Sequence, residues 1–273
     1  MDLQYFDLHS HVSFKDFDDD RDQVIGRMQE KGVGTITVGV DAETSKQAVA
    51  FAENKDGFYA TIGLHPNDTP TETFDEKFFS ELVSHPKVVG VGECGLDYFS
   101  LPAQAGIEGD VEKEKKRQWG EFEKQMAFAI EKNLPLMIHC RPSKGSVDAY
   151  EDMLIRLEEE QRRVGDVLRG NMHFFVGNVD VARRFYDIGF TTSYTGVLTF
   201  THDYDEVVKF APLDMLLTET DAPYAAPAPF RGKRNEPSYV THVVQAIAGI
   251  RGVSEEGVRA QIIENTRRVF AIS

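Results

Sequence analysis

Val88-Val89-Gly90-Val91-Gly92-Glu93-Cys94-Gly95-Leu96-Asp97-Tyr98 is the stretch on which the fold turns. It opens as a β-branched apolar run and meets a carboxylate, Glu93, that is costly to bury unless it is paired or bound to a metal. Upstream lie similar short runs at residues 4–9, 34–40 and 58–64; downstream lie runs at 135–139, 171–175, 190–195 and 215–220. With 88–93 these make eight candidate strands. Helical patterns separate them, at 21–31, 44–54, 74–84, 115–132, 147–164, 179–188 and 204–211, and two more, at 238–250 and 254–270, end the chain. Strand alternating with helix argues for parallel βα units. Eight such units in 273 residues fit a (β/α)8 barrel better than a doubly wound sheet. Residues 1–273 therefore read as one domain, in which residues 222–237, with four prolines, form a site loop and not a linker.

Helix entries agree with this reading. Thr73 with Glu76 three positions on has the form of a capping box, and Ser254-Glu255-Glu256 puts a cap and two acids where the helix dipole favours them.

Composition bounds the function. Hydrophobic residues make up 41% and charged residues 27%, as in ordinary globular proteins. Thirty Lys and Arg against 45 Asp and Glu leave a net charge of −15, which excludes binding nucleic acid through a broad basic face. Cys94 and Cys140 cannot make a disulfide framework. Residues 1–14 lack a secretory pattern, and no run reaches the length of a membrane span. The expectation is a soluble cytoplasmic protein with no membrane or protein partner, in which the sequon Asn67-Asp68-Thr69 carries no meaning.

Polar residues cluster where the runs end. The first run ends in His9-Ser10-His11, and residues two apart on a strand point to the same side, so both rings can reach one ion. The others end in Glu93, in His139-Cys140-Arg141, in His173-Phe174-Phe175 and in Glu219-Thr220-Asp221. Taken singly, His139 or His173 reads more readily as a hydrogen-bonded core histidine. Together the six donors occupy the C-terminal ends of five strands, the face on which such barrels carry their sites. His9, His11, Glu93, His139, His173 and Asp221 are too many for one tetrahedral ion and enough for two divalent ions bridged by Glu93. Nitrogen and carboxylate donors admit Zn2+, Mn2+ or Mg2+ without choosing among them.

On these residues the chain resembles the TatD-type deoxyribonucleases, within the amidohydrolase-like metal-dependent hydrolases. The resemblance covers residues 7–270 in order: Asp7-Leu8-His9-Ser10-His11, Gly63-Leu64-His65-Pro66, Gly92-Glu93-Cys94-Gly95-Leu96-Asp97-Tyr98, His139-Cys140-Arg141, His173-Phe174-Phe175-Val176-Gly177, Glu219-Thr220-Asp221-Ala222-Pro223-Tyr224 and Arg231-Gly232-Lys233-Arg234-Asn235-Glu236-Pro237. It implies that His9, His11, Glu93 and Asp221 hold one metal, while Glu93, His139 and His173 hold the other. It also implies that His65 faces the substrate and that Asp221 orients or deprotonates the water. Val176 stands where the family usually has Ser or Thr, and residues 99–116 and 146–170 are longer than usual.

Other features are set aside or given a lesser role. Gly90-Val91-Gly92-Glu93-Cys94-Gly95 matches G-x-G-x-x-G, but a dinucleotide site needs that motif to open a helix after the first strand. Cys94 and Cys140 each follow a ligand candidate and read as small core residues. Arg141, Arg231 and Arg234 could fork onto phosphate oxygens, and with Lys233 would make an acidic barrel locally positive. His85, His202 and His242 read as surface residues, and Asp16–Asp20 as a solvated loop. The leading expectation is a phosphodiesterase or deoxyribonuclease acting on nucleic-acid ends, short single strands or a small phosphoester. The alternative is an amide or ester hydrolase, including an aminoacyl-tRNA deacylase. Related barrels of that kind bridge their metals with a carboxylated lysine, and no Lys occupies the Glu93 position or the strand ends.

Overall fold

Eight parallel strands follow one another around a single sheet in sequence order in the computed structural model, which describes residues 2–67, 72–101 and 110–272. They are β1 (Tyr5–Ser10), β2 (Val33–Val38), β3 (Phe58–Ile62), β4 (Val88–Asp97), β5 (Leu136–Arg141), β6 (Gly170–Met172), β7 (Thr191–Tyr194) and β8 (Leu216–Thr218). After β8 the chain returns beside β1. Asp221 N–H donates to the His9 carbonyl (2.9 Å), His11 N–H to the Ala222 carbonyl (2.7 Å), and Ser10 pairs with Ala222. The helices α1 (Arg21–Lys31), α2 (Ala42–Ala52), α3 (Glu76–Val83), α4 (Val111–Lys132), α5 (Asp148–Val164), α6 (Val179–Asp187), α7 (Asp205–Phe210), α8 (Val240–Arg251) and α9 (Glu255–Phe270) alternate with the strands or close the chain. The (β/α)8 barrel expected from the sequence is the fold found. Asp68 and Thr69 of the sequon, and residues 102–109 of the long 99–116 segment, lie outside the described residues.

Parallel strands are covered on both faces, which explains their near-continuous apolar character. β4 is buried along its whole length and runs four residues past Glu93, to Asp97. Its glycines explain the false dinucleotide motif. A Cβ on Gly95 would collide with the His139 carbonyl oxygen, and one on Gly92 with the Met137 carbonyl oxygen. Gly95 (φ +144°) and Gly92 (φ +150°) let β4 lie against β5 and open no helix. β7 is the polar exception, Thr191-Thr192-Ser193-Tyr194. Its buried hydroxyls are satisfied on both faces: Thr191 Oγ1 donates to Asn171 Oδ1 (3.0 Å) inside the barrel, and Thr192 Oγ1 bonds the Tyr186 hydroxyl of α6 (2.8 Å) on the outside.

Caps set the helix entries. Asp41 and Thr44 form a reciprocal capping box on α2, and Asn178 and Ser254 cap α6 and α9. The Thr73–Glu76 box does not form: α3 starts at Glu76 and Asp75 caps it, accepting from Lys77 and Phe78 N–H. α4 also serves the strand ends. Gln125 Oε1 accepts from Leu64 N–H (2.8 Å) and its amide donates to the Leu64 carbonyl (3.0 Å). Gln118 Oε1 accepts from Asp97 N–H (2.9 Å). These buried amides hold the backbone that carries His65 and Asp97. Among the described residues, no helix is long and apolar enough to cross a membrane.

Candidate metal centre

Four of the six strand-end donors, His9, His11, His139 and His173, converge on a fifth, the Glu93 carboxylate, whose two oxygens face different groups. Oε2 lies 3.2 Å from His9 Nε2 and 3.8 Å from His11 Nε2. Asp221 Oδ1 approaches the same two nitrogens, at 3.7 and 3.5 Å. Oε1 lies 2.9 Å from His139 Nδ1, 3.2 Å from His173 Nε2 and 3.6 Å from His65 Nε2. The cluster lies at the base of an open cavity of about 700 Å³, which His65, Arg141, Phe174 and Tyr224 also line.

Partners on the far nitrogens orient the rings. His11 Nδ1 lies 3.1 Å from the Val38 carbonyl, which can only accept, so Nδ1 carries a proton and a neutral ring turns its Nε2 lone pair inward. His139 Nε2 meets Asp97 Oδ2 at 3.1 Å, and His173 Nδ1 meets Glu219 Oε1 at 3.0 Å. Glu219 is fully buried and accepts in turn from Ser193 Oγ (2.5 Å), which accepts from Asn171 Nδ2 (2.6 Å). His65 differs. Its Nδ1 accepts from Asn67 N–H (3.3 Å), so in the neutral ring the proton sits on Nε2, as a donor facing the site.

Charge follows this geometry. Burial alone would raise the Glu93 carboxyl, but His173, His9 and the other rings hold it well below the usual carboxylate range. Burial likewise acts against ionised Asp221, but the hydrogen bond from His11 and the charges of His173, His9 and His11 together hold the carboxyl below its ordinary value. Burial pulls His139 down, yet Asp97 and Glu93 together push it up to about 9. His173 is raised in the same way by Glu219 and Glu93. Burial and the neighbouring His139 lower His65 to about 3, so its ring is neutral. Asp221 also adopts a left-handed backbone (φ 54°), as does Phe174 (φ 45°). Non-glycine residues in that region carry strain of roughly 1–3 kcal/mol and concentrate at functional sites.

Residues 6–271 match the family model described as TatD related DNase. The chain belongs to that family. It is 39% identical over 272 residues to the uncharacterized metal-dependent hydrolase YabD of Bacillus subtilis, covering 98% of this chain and 99% of that one. It is 30% identical over 279 residues to the 3'-5' ssDNA/RNA exonuclease TatD of Salmonella typhimurium, covering 98% and 99%. Among solved structures it is similar to YjjV, a TatD homologue from Escherichia coli, with a TM-score of 0.85, 26% identity and all of both chains covered. The protein is a metal-dependent hydrolase.

The donor set fits the ions that TatD family membership implies. Among the described residues, every ion-pair partner of Glu93, Glu219 and Asp221 is a histidine, so the nearby cationic charge on these buried carboxylates comes from imidazole protons. His9 Nε2 and His11 Nε2 face each other at 3.2 Å, and His9 Nδ1 is buried with no hydrogen-bond partner among the described residues. Such an anionic, lone-pair-rich pocket suits divalent cations. Among the described residues three groups of donors lie close enough to hold an ion: His9, His11 and Glu93; His65, Glu93 and His139; and His9, His173 and Asp221, the last drawing on both sides of Glu93.

The three arginines expected at the phosphate separate. Arg141 lines the cavity, whereas Arg231 and Arg234 do not. Arg231 lies over the Phe200 ring at 3.9 Å. Arg234 donates to Asp20 Oδ2 (2.7 Å) and the Asp16 carbonyl (2.7 Å). The acidic run read as solvated thus engages a cation expected at the substrate, and the predicted positive mouth is weaker for it. His202 is exposed, while His85 and His242 are half-buried and outside the cavity. Cys94 and Cys140 are buried free thiols. Asp97 and Glu219, within the family motifs but given no role from sequence, prove to be the outer partners of His139 and His173.

Proposed function

We propose that this TatD family hydrolase is a two-metal phosphodiesterase that removes nucleotides from the 3' end of single-stranded DNA or RNA. One observation carries the two-metal part: the Glu93 oxygens face separate donor groups, so one carboxylate can serve both. On this reading His9, His11 and Asp221 with Glu93 Oε2 hold one divalent ion, and His139 and His173 with Glu93 Oε1 hold the other. His65 stays out of the ligand set because its Nε2 carries a proton and stands farthest from Oε1. The substrate class follows from family membership and from the named activity of the Salmonella relative. Free thiols and a nucleic-acid substrate suit a cytoplasmic enzyme, with residues 1–273 acting as one catalytic unit.

When bound, divalent ions supply a water of lowered pKa and offset charge building on the phosphoryl oxygens. The residues do the rest. Asp221, ionised and 14% exposed at the cavity floor, takes the proton of the attacking water and passes it to the departing oxygen. The water oxygen bonds to phosphorus as the P–O3' bond breaks, leaving a 5'-phosphorylated nucleotide and a shortened strand. His65 donates its Nε2 proton to a phosphoryl oxygen, and Arg141, which leaves β5 at the cavity rim, grips the phosphate.

Glu93→Ala tests the assignment. Metal analysis of the wild type is expected to find two divalent ions per chain, and the variant to lose both together with cleavage of 5'-labelled single strands. Metal-loaded wild type that leaves DNA and RNA intact while hydrolysing aryl esters or lactones would sink the proposal. The amide reading gains no support, because no Lys lines the described cavity.

A further inference from the structure

We propose that the Tyr224 ring is a stacking platform for the terminal nucleobase, so that the site selects a frayed or single-stranded end over a paired one. This rests on the phosphodiesterase reading above and names the contact that holds the base. Tyr224 is 55% exposed yet lines the cavity, three residues after Asp221. Its backbone is pinned from both sides. The N–H donates to the Asp221 carbonyl (2.8 Å), and the carbonyl accepts from Asn235 Nδ2 (2.7 Å). Asn235 is fully buried and also donates to the Thr220 carbonyl (2.9 Å), so one amide ties Tyr224 to the segment that carries Asp221. A large ring is thus held exposed on a well-anchored turn.

Its neighbours define a direction. The Tyr224 ring stands edge-on to His11, centroids 6.2 Å apart, and Phe14 stacks on His11 at 4.5 Å. Both aromatic rings line the cavity on the side of Glu93 Oε2. Across the cavity Arg141 caps the half-exposed Phe99 ring at 4.0 Å. One flank therefore offers a π-face and the other a cation, matching the base and the phosphate of a single nucleotide. At a net charge of −15 the molecule has little long-range attraction for a polyanion. Stacking supplies affinity that does not depend on charge and tolerates every base. A paired terminal base is held by its complement and cannot turn into the cavity to meet the ring without first being unpaired, a cost that a frayed end does not bear.

Tyr224→Ala is expected to raise KM for single-stranded DNA by about 5- to 150-fold, the range that stacking one base on an aromatic ring supplies, with kcat little changed. Tyr224→Phe restores the wild-type KM. An abasic 3' residue imposes the same penalty on wild type and none on Tyr224→Ala. A direct probe is a strand with 3'-terminal 2-aminopurine and phosphorothioate linkages, whose fluorescence is quenched by wild type and Tyr224→Phe but not by Tyr224→Ala. Equal KM and equal quenching for wild type and Tyr224→Ala would overturn the platform. Quenching by a metal-loaded wild type that cleaves no strand overturns the hydrolytic reading and leaves the platform standing.

Discussion

The two sides of Glu93 are built from the same residue types and prepared differently. On the Oε2 side, the far nitrogen of His11 meets a backbone carbonyl and that of His9 meets no hydrogen-bond partner among the described residues. On the Oε1 side, the far nitrogens of His139 and His173 each meet a carboxylate, Asp97 or Glu219. Carboxylate backing raises imidazole basicity. Both rings of the Oε1 side therefore hold protons that an arriving cation must displace. On the Oε2 side, burial and the nearby His173 push His9 below its ordinary value, leaving it a ready donor, and only His11 is raised, against its burial, by Asp221 and Glu93. One centre thus contains a side on which both rings must release a proton and a side on which only one must.

The largest consequence concerns pH in the metal-stripped protein. His139 rises from 6.5 to about 9 on folding, a change worth on the order of 3 kcal/mol. A raised pKa stabilises fully below the unfolded value and is lost as pH climbs through the folded one. His173 acts in the same direction. Thermal unfolding in chelator is expected to show the midpoint falling between pH 6.5 and 9, by roughly 2–4 °C per kcal/mol. The buried thiols also destabilise at alkaline pH, above about 8.5, so Asp97→Asn is the comparator and should flatten the slope below that point. A midpoint that holds or rises over this range would remove the contrast between the two sides.

Next in size is the effect of the outer carboxylates on the ions themselves. Asp97→Asn and Glu219→Gln should each weaken one bound ion by about 10- to 100-fold and leave the other unchanged. Titration against a chelator of known affinity separates the two ions. Equal weakening of both by either variant would mean that Glu93 couples the sides so tightly that they cannot be treated apart.

Asp97 and Glu219 also mark where sequence reading stopped. Glu93 stood out because an acid ending an apolar run must be compensated, and the histidines stood out as strand-end polar residues. The six donors were legible for that reason, as was the barrel, whose eight runs differ from the observed strands mainly at their edges. β4, however, continues to Asp97, so the acid that backs His139 is a strand residue four positions beyond Glu93 on the same apolar stretch. A strand read as ending at Glu93 hides it. Glu219 lay two residues before Asp221, and the family resemblance drew the assignment to Asp221 alone. Arg234 went astray for a different reason: its partner Asp20 is over two hundred residues away in the chain. No local pattern reports such a pairing.

The smallest expected effect comes from a residue between the two sides in chemistry. Cys140 follows His139 on β5 and lines the cavity, so a sulfur ligand for the Oε1 ion has to be considered. Burial raises its thiol well above the usual value, and no candidate donor group among the described residues includes it. A protonated thiol does not compete for a cation with His139 and His173. Cys140→Ala should keep the metal content unaltered and change stability by roughly 1 kcal/mol, as ordinary core substitutions do. Metal analysis of the purified variant decides the matter. Loss of one ion would put a soft ligand on the Oε1 side, and the pH behaviour there would then belong in part to a thiolate.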